Sequence, residues 1–303
     1  FVFLLAMGQA TPPFGTCMFV ACGISKQSVG QVSKELVPFV AVEIFCGVLF
    51  ALFTFIVFMT TKFVDHEAIR IFGYPSLLTV GGTLLNIPLL FLVYELYPKR
   101  DLSFIKLCIT MIACVAVCDL LVNLGYCALL PKNEWLSNLW AVCLEEFSKA
   151  LPAVIAILVL KVRNPMGGFL IGAAVGIGMS VSEDIGYIFV ASWNEGVDIP
   201  ALLLVTLARS FTSIAGHLVW TGLISWAFVK FNRPFINYKF YACCLASLAL
   251  HYVFNCPYAP ISAITLGLSV GAGLIILIYL PKHERKLAFR QSIISGDEQW
   301  QSN

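Results

Sequence analysis

The residues able to do chemistry in this chain lie inside apolar stretches. Glu145, Glu146 and Lys149 sit near the middle of WLSNLWAVCLEEFSKALPAVIAILVL, residues 135–160. Glu183 and Asp184, Arg209 and His217, and His251 with Asn255 follow in three later apolar segments. A charge at the depth of a bilayer core is expensive and is usually functional. Glu145 and Lys149 are four residues apart, so they share one helix face and are expected to pair. Glu146 lies about 100° further round the helix and needs another partner. Arg209, Ser213, His217 and Thr221 recur every four residues and predict one polar stripe along a helix. Glutamate can take a proton from water, and neutral histidine can donate to an oxyanion, accept a proton or bind a metal. Carboxylates and histidines gathered around one wet site could hydrolyse an amide bond. They could equally conduct protons or bind an ion. Residue types alone leave hydrolase, transporter or ion pathway, and structural membrane protein all open.

Positioning these groups requires helices that meet within a membrane. The chain has 303 residues, 59% hydrophobic and 12% charged, whereas a soluble domain of this size is roughly one quarter charged. The apolar residues run in blocks of about twenty, long enough to span as helices. The expected fold is an all-α, polytopic transmembrane helical bundle of about eight or nine segments. The spans are expected at about 38–60, 76–94, 107–130, 135–160, 166–193, 202–228, 240–255 and 261–280. Residues 1–24, interrupted by Pro12, Pro13 and Gly15, form an irregular first segment. Gly168, Gly172 and Gly176 recur at four-residue spacing and give a flat face on which another helix can approach closely. A polar tail follows the last span.

The formal charge of +2 and the lack of a long Lys/Arg run argue against a nucleic-acid partner. The eleven cysteines lie mostly in apolar blocks, where a thiol acts as a small hydrophobe. Alternate loops and the tail hold 14 Lys/Arg against 3 in the intervening loops. That bias places the C-terminus in the cytoplasm.

The ordered set of motifs resembles the PrsW family of intramembrane proteases, which is distantly related to the CAAX-prenyl-protease-like membrane proteins. The family's EExxK motif is matched by Glu145, Glu146 and Lys149. Its glycine-rich helix, ending in an acid and a following Tyr, is matched by GGFLIGAAVGIGMSVSEDIGY, which maps the acid onto Glu183 and the aromatic onto Tyr187. Its Arg-to-His helix is matched by Arg209 and His217, and its final His-xxx-Asn by His251 and Asn255. The chain departs from the family at Met179, where Phe is usual, and at Asp184, where Asn is frequent. The second departure leaves open which of the two acids faces the site.

The resemblance implies cleavage of a membrane-protein peptide bond within or beside the bilayer. The substrate would enter laterally from the lipid, and the protein would reside in a bacterial plasma membrane. It places the catalytic core at 135–256, with N-terminal segments 1–134 of unassigned role and a final helix and tail at 257–303. The catalytic set it implies is Glu145, Glu146, Glu183, His217 and His251, supported by Lys149, Asp184, Tyr187, Arg209 and Asn255. Glu146 is the expected general base, with Glu145 assisting it or held by Lys149. His217 and His251 would position water and stabilise the oxyanion, or bind a metal, and Arg209 would hold a carboxylate or a substrate carbonyl. The family is described both as glutamate-dependent and as metal-dependent. A zinc ion, if present, would take Glu145 or Glu146 with His217 and His251. Lys149 and Arg209 already supply positive charge, so the expected route is metal-free, with no other cofactor. The alternatives are a transporter, a prenyl-directed endopeptidase and an inactive scaffold.

Overall fold

The structure is a computed structural model that describes residues 22–23, 26–62, 75–76, 78–84, 86–96, 102–129, 131–194, 204–206, 208–209, 216–231, 234–256 and 261–295. The expected first segment, residues 1–24, lies almost entirely outside the described residues. Among the described residues the chain is helical and contains no strand. The helices are α1 (Val29–Lys62), α2 (Asn86–Leu96), α3 (Phe104–Ala128), α4 (Glu134–Val159), α5 (Pro165–Asn194), α6 (His217–Lys230), α7 (Tyr238–Phe254) and α8 (Ile261–Ser295). A 3-10 turn, Pro234–Ile236, precedes α7.

Among the described residues, four stretches are long and apolar enough to cross a membrane: Leu78–Glu95, Phe104–Ala128, Pro165–Val190 and Ile264–Glu284. α4 is equally long, but Glu145, Glu146 and Lys149 lower its hydropathy at mid-helix. On α3, Ile105, Ile109, Ile112, Leu120 and Leu124 are all exposed. A face of this kind is unsuited to water and suited to lipid tails.

Three expected boundaries move. α1 begins at Val29, inside what reads as the loop 25–37. α8 runs to Ser295, through the stretch expected as a polar tail. Its Glu284 accepts a hydrogen bond from Lys230 at the end of α6 (2.9 Å), which gives the charged extension a fixed partner. α6 begins at His217, not near residue 202.

The chain divides into two compact units, residues 1–96 with 184–210, and residues 97–183 with 211–303. The first has an apolar cluster around Leu84 and Ile188, packed by Leu49, Ile56, Leu78 and Val205. The second unit holds α3, α4, α6, α7, α8 and the first part of α5.

Local sequence sets the ends of these helices. Ser103, Asn133 and Asn237 cap α3, α4 and α7, each side chain accepting from a backbone N–H of the first turn. α4 ends where Lys161 adopts a left-handed backbone, φ 55°. Asn164 and Pro165 then start α5, with Met166 N–H donating to Asn164 Oδ1 at 2.9 Å. α4 also contains Pro152, which has no N–H to give the Ser148 carbonyl one turn back. Cys118 on α3 donates its Sγ–H to that carbonyl at 3.2 Å. A thiol from a neighbouring helix thus satisfies the acceptor that the proline orphans, one residue before Lys149.

Within the second unit, α5 is buried without a break from Met166 to Ser180. The expected glycine face is what lets α6 pack against it. A Cβ at Gly168 would lie 2.8 Å from the Ser225 carbonyl and 2.7 Å from Val229 Cγ2. At Gly172 it would strike the Thr221 carbonyl and Ser225 Oγ, and at Gly176 the carbonyl of His217 itself. Three glycines therefore set how closely α6 approaches α5 along its length, with Gly176 against its first residue.

Candidate active site

Glu145 and Glu146 are the twelfth and thirteenth residues of the 26-residue α4. At 1.5 Å per residue they lie about 17 Å from the N-terminal end of the helix and about 20 Å from its C-terminal end. Both are buried, as is Lys149, which has no exposed surface. α7 brings in His251 and Asn255, α6 brings in His217 as its first residue, and α5 brings in Glu183. The expected convergence of Glu145, Glu146, Glu183, His217 and His251 from four helices is present in the second unit.

The contacts form a connected network. Lys149 Nζ donates to Glu146 Oε1 at 2.5 Å and lies 2.5 Å from His217 Nδ1. An ammonium can only donate, so His217 Nδ1 must be the unprotonated nitrogen. Its Nε2–H then donates to Glu183 Oε2 at 3.0 Å. Asn255 Nδ2 donates to His251 Nε2 at 3.1 Å, which leaves His251 Nδ1–H to donate to Glu146 Oε1 at 2.8 Å. Both imidazoles are neutral in this arrangement, and each tautomer is set by a neighbour. The two rings meet edge to face with centroids 5.0 Å apart.

The pairing within α4 differs from the expectation. Lys149 takes Glu146 at i+3, not Glu145 at i+4. Both spacings bring side chains together on a helix, and the reach towards His217 on α6 selects the first. Glu145 is left with its Oε2 buried, without a hydrogen-bond partner and 3.5 Å from His251 Nε2.

The remaining candidates belong to the first unit. Asp184 accepts from Arg209 Nε at 2.8 Å and from Asn86 Nδ2 at 3.0 Å. The Arg209 guanidinium also lies over the Tyr187 ring, 4.3 Å from its centroid. Arg209 thus holds a carboxylate, one of its two expected uses. Glu183 is the acid engaged with a histidine, and Asp184 the one engaged with the arginine. The expected stripe from Arg209 to Thr221 is not one described helix, since α6 starts at His217; Ser213 lies outside the described residues.

Sequence reasoning missed Trp220 and Asn86. Trp220 stacks on His251 with centroids 4.3 Å apart and an interplanar angle of 19°. Its place three residues after His217 was the available signal.

Glu145, His217 and His251 each offer a ligand atom, all within 4.8 Å of one another. An orphaned buried carboxylate oxygen beside two neutral imidazoles is a donor set that fits a divalent ion. The Lys149 ammonium already occupies His217 Nδ1, and Asn255 occupies His251 Nε2.

The family profile described as PrsW family intramembrane metalloprotease matches residues 102–281, more than half of the chain. The chain belongs to the PrsW family. It is therefore a peptide hydrolase and an integral membrane protein, as the motif resemblance implied. The matched region contains every residue of the buried Glu–Lys–His network. A second profile, the DctM component of the tripartite ATP-independent periplasmic transporter, matches residues 1–56 only and includes none of them. No curated protein and no solved structure matches this PrsW-family chain.

Proposed function

We propose that this PrsW-family protein hydrolyses a peptide bond of a membrane-protein substrate at the Glu145–His251–His217 centre, with Glu145 as the water-activating base. The observation that carries the reading is the buried Glu145 Oε2, which has no hydrogen-bond partner and faces His251 Nε2. Glu146 also has a buried Oε2 without a hydrogen-bond partner, but its Oε1 accepts from both Lys149 and His251, so its carboxylate is already committed to holding them.

In this reading, Glu145 takes a proton from water as the water oxygen attacks the scissile carbonyl carbon. The developing oxyanion needs donors. Lys149 has three N–H groups, two of them engaged with Glu146 and His217. Asn255 has two amide hydrogens, one of them given to His251. The remaining N–H of each is the proposed oxyanion contact. Collapse of the tetrahedral intermediate breaks the C–N bond, and Glu145 returns its proton to the leaving amine. Glu146 and Glu183 hold the two histidines in their tautomers. Glu145, His217 and His251 are also the residues that would hold a divalent ion such as zinc. Bound there, the ion would supply Lewis acidity towards water and the carbonyl oxygen.

The proposal extends to the whole chain. Residues 135–256 form the catalytic core of a bundle of eight or nine segments in a bacterial plasma membrane, with the C-terminus in the cytoplasm. Substrate helices reach the mid-bilayer acids laterally from the lipid. The test is a panel of dye-quenched single-span peptides reconstituted with purified protein in liposomes. The wild type should cleave at least one of them within or beside its apolar segment, and His251→Asn should slow that cleavage at least about tenfold while still folding. Elemental analysis, chelation and zinc restoration on the same preparation decide the metal requirement. Full turnover by His251→Asn would remove the proposed centre.

A further inference from the structure

Trp220 has no exposed surface, although it is the largest side chain in the second unit's interior. Its ring lies flat against His251, at 19° and 4.3 Å. The same ring meets His217 edge-on, with centroids 5.0 Å apart and an angle of 77°. Lys149 Nζ lies 5.7 Å from its centroid. One side chain thus touches both imidazoles and faces the Lys149 ammonium.

The backbone under this ring is fixed as well. Ser247 Oγ–H donates to the Trp220 carbonyl at 2.9 Å, and Ser247 sits one turn before His251 on α7. The two stacked rings therefore rest on helices tied together beside the stack. The indole pays for its place: Nε1–H is buried without a hydrogen-bond partner. A buried tryptophan usually finds one, and going without is unfavourable. Trp140 and Trp226 also have a buried Nε1–H without a partner, so it is the contact with both imidazoles that sets Trp220 apart.

We infer that Trp220 is a positioning residue for the hydrolytic centre: its indole face fixes the ring plane of His251, and its edge fixes His217. The hydrogen bonds of His251 leave its ring free to rock about the line joining Glu146 and Asn255. A flat neighbour at stacking distance removes that freedom. A branched aliphatic side chain of similar bulk fills the space without defining a plane.

The inference rests on the proposed centre, so its test carries a control for that centre. Trp220→Phe, Trp220→Tyr, Trp220→Leu and Trp220→Met are compared with the wild type and Glu145→Gln for cleavage of the same peptide in liposomes. Thermal stability of each variant is measured in parallel. Phe and Tyr should keep kcat within about threefold. Leu and Met should lower it about tenfold or more, with KM within about twofold. The kcat order should follow ring planarity and not thermal stability. Equal kcat losses in all four, losses that track stability, or Leu and Met variants that fail to accumulate would each make Trp220 a packing residue and overturn the inference. Should Glu145→Gln cleave like the wild type, the centre itself is wrong; should it fail while Leu and Met retain full kcat, only the role of Trp220 falls.

Discussion

Lys149 shows what a single residue decides in this protein. It has no exposed surface, and its ammonium holds Glu146 on its own helix and His217 on another. The EExxK spacing made these three α4 residues legible as a group. It did not tell which glutamate the lysine takes, because i+3 and i+4 neighbours are equally near on an isolated helix. That choice depends on where α6 presents His217, which is tertiary information. Likewise Glu183 and Asp184 are adjacent in sequence, and only the partners that each finds distinguish them. Lys149→Met should leave the Glu146 charge buried without its cation. Removing one member of a buried pair costs about 3–5 kcal/mol. Unfolding titrations in mixed detergent should show a loss of that size, largely recovered when Glu146→Gln is added. A loss below about 1 kcal/mol in the single variant would mean that the pair does little for the fold.

At the scale of the element, the glycine face of α5 was fully readable, since small residues every four positions have one main use in a membrane helix. The start of α6 was not. The stretch 202–228 is apolar almost throughout, and Gly216 alone is a weak breaker signal, so a single span was the natural expectation. The close approach at Gly176 gives the break a setting: the first carbonyl of α6 occupies the space that a side chain would need. Pro152 is a parallel case. Its disruption of α4 was visible in sequence, but its compensation by Cys118 on α3 was not. Gly176→Val should push α6 away from α5 and destabilise by about 1–3 kcal/mol, the usual range for overpacking. It should also lower cleavage through displacement of His217. Gly186→Ala, on the same helix with nothing within 4 Å of its added Cβ, is the matched control. Equal behaviour of the two variants in thermal melts and cleavage assays would contradict the account of this interface.

For the whole molecule, composition sufficed for an all-helical membrane protein, since no other structure satisfies the backbone of so many apolar blocks in lipid. The helix lengths were less legible. Apolarity marks where lipid begins and ends, whereas α1 and α8 continue beyond it as charged helix. Orientation comes from charge alone. The proposed topology puts Lys99, Lys161 and Lys230 on the cytoplasmic face and Glu195 and Asp198 outside. Single cysteines placed in loops 95–106 and 194–200 of a cysteine-free chain should react with an impermeant maleimide from opposite sides of intact cells. Labelling of both from the same side would reverse part of the arrangement.

The most direct measurement of the central claim is kcat for purified Glu145→Gln beside Glu146→Gln on one cleaved transmembrane peptide. Both substitutions keep size and hydrogen bonding, and both remove a charge from the same turn of α4. Loss of a general base costs about 10²–10⁴-fold. Glu145→Gln should fall by that amount with the folded protein intact. Glu146→Gln should fall less and lose thermal stability, because its carboxylate holds Lys149 and His251 in place. Turnover by Glu145→Gln at the wild-type rate, with Glu146→Gln inactive but equally stable, would contradict the account and return the base to Glu146.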